Sequence, residues 1–139
     1  MSTFLRGRTA GALLTIAIVG LALATANIHL GLGGFLFTMN GLGYLGLAAL
    51  FVIGATVSHP LVRTLSWAPR VMLAGYAAMT IAGYLVMGPY FTLGWITKGI
   101  EIMLIALVTV DVIRVFGSPA GLVRAALASI PGRRTSAAA

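Results

Sequence analysis

Six side chains carry the chemistry this sequence offers: Asn27, His29, Asn40, Tyr44, Lys98 and Glu101. Lys98 and Glu101 stand three residues apart, a spacing that puts both on one helix face within pairing reach. A carboxylate holds a proton or a cation, an imidazole passes a proton on, and amides and phenols hold a polar headgroup. Two readings of the pair stay open. One is an ion pair that fixes helix depth and packing; the other is an outward-facing polar pocket for a headgroup, quinone, proton or ion. Asp111 and Arg114 repeat the spacing and read as a structural pair at the edge of an apolar segment.

No catalytic set is legible. The two acids belong to opposite ends of one segment, and there is no H-E-x-x-H and no Ser-His-Asp set that can be placed together. The chain is therefore expected not to be an enzyme and to hold no metal and no cofactor. The histidines test that expectation. His29 closes the first apolar run and His59 follows the second, so most of a bilayer separates them and they cannot share one haem within a chain. A single-histidine haem, or a site shared between subunits, stays open. Gly41-Leu42-Gly43-Tyr44-Leu45-Gly46 matches G-x-G-x-x-G, but the dinucleotide fingerprint needs a strand before it and an acid about 20 residues on. Inside an apolar run the glycines read as close helix packing, as do Ala74, Ala78 and Ala82. Met72, Met79 and Met87 do not form one cluster and read as adaptable packing.

The elements that position these residues follow from composition. The chain has 139 residues, 60% hydrophobic and 8% charged, with a mean hydropathy of +1.06. A soluble domain carries about 25% charged residues, so a disordered chain and a free cytosolic enzyme are both excluded, and lipid is the expected solvent. The net charge of +7 comes without a basic stripe interleaved with aromatics, so nucleic acid is not an expected partner. There is no cysteine, hence no disulfide framework.

A spanning helix needs about 20 apolar residues. Between Arg8 and Arg63 no residue is formally charged, which leaves room for spans at about 9–30 and 34–57 around the turn Gly31-Leu32-Gly33-Gly34. A polar connector runs from Ser58-His59-Pro60 to Trp67-Ala68-Pro69-Arg70, followed by spans at about 71–89 and 93–116. Tyr90, Phe91 and Trp95 form an aromatic belt between the last two. Ser118-Pro119 reads as a helix start, with Leu122, Val123, Ala126, Leu127 and Ile130 at helical spacing. The expected fold is an all-α integral membrane protein: a four-transmembrane-helix up-down bundle over 1–116, then a short interfacial helix and basic tail over 117–139. The composition of 131–139 predicts a disordered tail.

Orientation follows from the basic residues. Arg6, Arg8, Arg63, Arg70, Arg114, Arg124, Arg133 and Arg134 fall on one side of this layout and only Lys98 on the other. The positive-inside rule then puts both termini in the cytoplasm. The same layout maps Asn27, His29, Asn40, Tyr44, Lys98 and Glu101, with Thr38, Tyr84 and Thr92, to the outer half. A competing parse takes Arg6, Arg8 and Ala24-Thr25-Ala26 as a cleavable signal peptide; the apolar run is long for that, and an uncleaved span is expected.

Asn27-Ile28-His29-Leu30, the glycine turn, Phe37 through Gly46, and Lys98-Gly99-Ile100-Glu101-Ile102 together resemble a group of small four-span prokaryotic membrane proteins. The resemblance implies the architecture and a prokaryotic plasma-membrane location, but no function. Small multidrug exporters, whose essential glutamate lies in the first span, are a poor match to a chain with no acid there. Three functions are compatible with these features. The first, which the small size, the sparse chemistry and the small-residue faces favour, is a non-catalytic accessory or structural subunit of a larger membrane complex. The second is a small homo-oligomeric carrier or channel with its outer polar site around Glu101. A membrane enzyme acting on lipid or quinone has least support. The expected partners are the bilayer and either other membrane subunits or further copies of the chain.

Overall fold

A computed structural model describes residues 7–130; Arg6, Arg133, Arg134 and the expected tail lie outside them. The described residues are helical without a strand. They form α1 (Arg8–Leu32), α2 (Phe35–Thr56), α3 (Pro60–Thr64), α4 (Trp67–Met87), α5 (Thr92–Phe116) and α6 (Pro119–Ala128). By length and composition α1, α2 and α4 are apolar enough to cross a membrane. Helix α5 matches α1 in length, with 25 residues each, but carries both acids of the chain.

The long helices pack in a closed cycle of neighbours: α1 on α2, α2 on α4, α4 on α5 and α5 on α1. The turns α1–α2 and α4–α5 share one end, the hairpin end. Helices α3 and α6 lie at the other.

Each boundary has a local cause. Helix α1 continues through Leu32, so the turn is Gly33-Gly34 alone, with φ of 69° and 81° and ψ of 174° and 156°; positive φ with extended ψ is a region that essentially only glycine occupies. The connector expected at 58–70 is largely helical. His59 caps α3 by accepting from the Leu61 N–H at 3.3 Å, and α4 starts at Trp67 rather than 71. Pro69 is tolerated there because first-turn N–H groups have no intrahelical acceptor. Helix α4 ends at Met87, two residues before the expected stop at 89, with Gly88 at φ 56°. Ser118 caps α6, its Oγ accepting from the Gly121 N–H at 3.0 Å.

Burial is inverted relative to a soluble protein. Arg70, Lys98, Glu101 and Asp111 are buried, while Leu13, Ile16, Leu42, Leu50, Met79 and Ile102 are exposed. Water would not tolerate that arrangement over so many apolar side chains. The core is small-residue rich on α1 (Ala22, Ala26) and bulky opposite (Phe51, Leu73, Leu104), so helices approach closely through van der Waals contact. Helix α6 contributes Leu122 to this core, whereas Val123, Leu127 and Ile130 of its expected apolar stripe stay exposed. Its far end is held where the Trp67 Nε1–H donates to Ser129 Oγ at 3.3 Å.

Candidate functional site

At the hairpin end the four long helices converge on Glu101. Lys98 Nζ donates to Glu101 Oε2 at 2.5 Å, and Thr25 Oγ1 of α1 donates to Oε1 at 3.1 Å. The i, i+3 spacing delivers the first contact and helix packing the second. Glu101 is fully buried, so its charge relies on these two donors, as a charge removed from water must.

His29 adds a third group. Its Nδ1 lies 2.8 Å from the Thr25 carbonyl oxygen. A carbonyl only accepts, so Nδ1 carries the hydrogen and the neutral ring keeps its lone pair on Nε2. Nε2 faces Glu101 Oε1 at 4.0 Å, beyond hydrogen-bond reach. Tyr44 of α2 packs its ring 5.7 Å from His29 and 5.0 Å, edge-on, from Tyr76. Its hydroxyl donates to Thr80 Oγ1 at 2.8 Å, because the Thr80 hydrogen goes to the Ala77 carbonyl. Asn40 Oδ1 accepts from Tyr76 at 3.0 Å.

Above this network lies a cavity of about 250 Å³. Its polar lining is His29, Asn40, Thr80, Tyr84, Thr97 and Lys98, and Phe37, Leu36, Met79, Met87 and Phe91 make its apolar walls. Glu101 is sealed behind Lys98 and does not line it. Tyr84 shapes the mouth: its hydroxyl donates to the Phe91 carbonyl at 3.2 Å and accepts from the Phe91 N–H at 3.1 Å. Its ring lies 5.6 Å from Lys98 Nζ, within cation–π range. The ring has space because Gly94 presents no Cβ to it.

Five of the six residues expected at the site therefore meet here: His29, Asn40, Tyr44, Lys98 and Glu101. Asn27 does not; it is exposed on the far side of α1, two residues from both Thr25 and His29 and so about 200° around the helix from each. Thr38 turns instead to the Gly34 carbonyl at 2.8 Å. Thr25, Tyr76, Thr80 and Thr97 are the residues sequence reasoning missed. Thr25 had a signal, since it stands one turn before His29 on the same face.

A second buried cluster occupies the α6 end. Arg70 Nε donates to Asp111 Oδ2 at 2.7 Å, and Arg114 donates through Nε and Nη2 to Oδ1 at 3.0 and 2.9 Å. The Arg70 guanidinium also lies over the Phe51 and Phe116 rings, at 5.4 and 5.6 Å. Asp111 and Arg114 pair as their spacing predicts; Arg70, read as a connector residue, becomes the third member.

His59 caps α3 at the α6 end, away from His29 at the hairpin end. Among the described residues no three His, Cys, Asp or Glu side chains converge as a metal site requires. The glycine fingerprint lies within α2, where a Cβ at Gly41 would meet Leu30 Cγ at 2.6 Å and one at Gly43 would overlap Tyr76. Two of its three glycines thus serve helix contact. Comparison with protein-family models, with curated proteins and with solved structures finds no match.

Proposed function

We propose that this chain is a small multi-pass protein of a prokaryotic plasma membrane that binds a small molecule in the cavity above Lys98 and works as a homo-oligomeric carrier. The observation that carries the reading is a buried ammonium group at the cavity wall with its counter-ion sealed behind it. An apolar pocket with a few convergent polar groups is the usual form of a ligand site, and an ionisable side chain within apolar helices usually has a functional role. In this reading α5 is a fourth span, α6 lies at the inner interface and both termini are cytoplasmic. The arginine bias supports that orientation, which opens the cavity outward. The resemblance to small four-span prokaryotic proteins supports the location.

The accessory-subunit reading is favoured by a different observation. Gly75, Ala78 and Ala82 form an exposed small-residue stripe on α4, the kind of surface against which a second membrane helix packs. Native mass spectrometry of protein extracted gently from its own membrane decides between them. A homo-oligomer supports the carrier; other polypeptides in fixed ratio support the accessory subunit.

A further inference from the structure

We propose that the ligand of this cavity is a small weak acid bound as its anion, and that each anion enters with one proton, accepted by Glu101. This rests on the ligand-binding role proposed above.

Charge at the wall selects the ligand. Lys98 lines the cavity and no carboxylate does. Lys98 is tied to Glu101 by a single hydrogen bond, to Oε2, so an anion in the cavity competes with Glu101 for the ammonium group and draws it toward the ligand. The volume of about 250 Å³ exceeds the roughly 150 Å³ of an apolar cavity that takes benzene, which suits a molecule of one ring or a short chain. Phe37, Tyr84 and Phe91 line it, and aromatic walls favour a ring or an apolar body.

The proton follows from what the anion does to Glu101. Once Lys98 turns to the ligand, Glu101 keeps only the Thr25 hydroxyl. A fully buried carboxylate without a counter-ion becomes neutral by taking up a proton. The titratable groups facing it are Lys98 on its own helix, His29 from α1, and Tyr44 and Tyr76 from α2 and α4. Of these His29 alone both lines the cavity and has a free lone pair toward Oε1, held in that orientation by the Thr25 carbonyl. A proton from cavity water binds Nε2. The imidazolium then passes it to Oε1 and recovers its lone pair, across a gap about 1 Å longer than a hydrogen bond. One anion and one proton enter together, so the site stays neutral.

The test is calorimetric titration of the whole chain in lipid nanodiscs with benzoate, and with benzamide as its neutral counterpart, in buffers of different ionisation enthalpy. The expected result is benzoate binding with uptake of one proton and an affinity that falls about tenfold per pH unit, the slope of one coupled proton. Glu101→Gln loses both the uptake and the slope. Lys98→Met loses benzoate. Benzoate binding without proton uptake by the unmodified chain overturns the proposal, as does an unchanged slope in Glu101→Gln. The proton count on the unmodified chain needs no variant and stands even where Glu101→Gln fails to fold. Binding of benzamide without benzoate overturns the anion and keeps the pocket, whereas binding of neither overturns both.

Discussion

Arg70 and Asp111, forty-one residues apart in sequence, meet in the core with Nε 2.7 Å from Oδ2. Both side chains are almost fully buried, at 2% and 1% exposed. The contact joins the start of α4 to the last turns of α5. Breaking a buried pair by removing one partner costs about 3–5 kcal/mol, because the other charge is left without compensation. Arg114 still touches Asp111, so Arg70→Ala is expected at the low end, about 3 kcal/mol, read as loss of thermal stability in detergent. Arg70→Lys should recover only part of it, since an ammonium cannot reproduce the planar contact with Phe51 and Phe116.

Thr25→Val removes the hydroxyl that donates to Glu101 and keeps the side chain's shape. Hydrogen bonds between membrane helices are worth about 1 kcal/mol, so the expected loss is of that size. Thr25→Ser should retain most of the stability. A loss equal to that of Thr25→Val would show that the methyl group, not the hydroxyl, matters.

Lys98→Met leaves Glu101 buried without its counter-ion. The carboxylate is expected to become a neutral acid, seen as a carboxylic-acid carbonyl band in the infrared difference spectrum against the unmodified protein. The band should be missing from Lys98→Met combined with Glu101→Gln.

The glycines of α2 differ sharply in what a side chain would meet. At Gly41 a Cβ would press on Leu30 and lie 3.0 Å from the Ala26 carbonyl oxygen, while at Gly46 nothing lies within 4 Å. Gly41→Leu should therefore separate α1 from α2, and overpacking of this kind costs about 1–3 kcal/mol. Gly46→Leu should leave the isolated chain unchanged by the same thermal measurement.

The sequence has no cysteine, so single introduced thiols report sidedness cleanly. In the proposed orientation Tyr90→Cys labels from outside the cell with an impermeant maleimide. Ser58→Cys labels only after the membrane is opened. Both positions are exposed, and the reverse pattern would invert the orientation.

How far the site can be read from sequence depends on whether its contacts run along a helix or across helices. Lys98 with Glu101 and Asp111 with Arg114 are each three residues apart, so their pairing is legible before any packing is known. Thr25 to Glu101 and Arg70 to Asp111 depend on which helices become neighbours and at what register, and a uniformly apolar pattern records neither. Depth without azimuth misplaces Asn27, which shares a level with His29 but points the opposite way. The helix starts behave similarly. Ser118-Pro119 announces α6, while Trp67-Ala68-Pro69 hides the start of α4 because proline within a first turn looks like a break.

Both acids of the chain lie on α5, and each finds a partner on a helix made earlier: Glu101 with Thr25 of α1, Asp111 with Arg70 of α4. In the proposed membrane layout this imposes an order on biosynthesis. By length and composition α1, α2 and α4 are apolar enough to cross a membrane, whereas α5 follows them with four charged side chains. In the proposed four-span layout α5 enters lipid by docking against helices already there, and a ribosome that stops short of Thr92 leaves α1 to α4 without either acid of the chain.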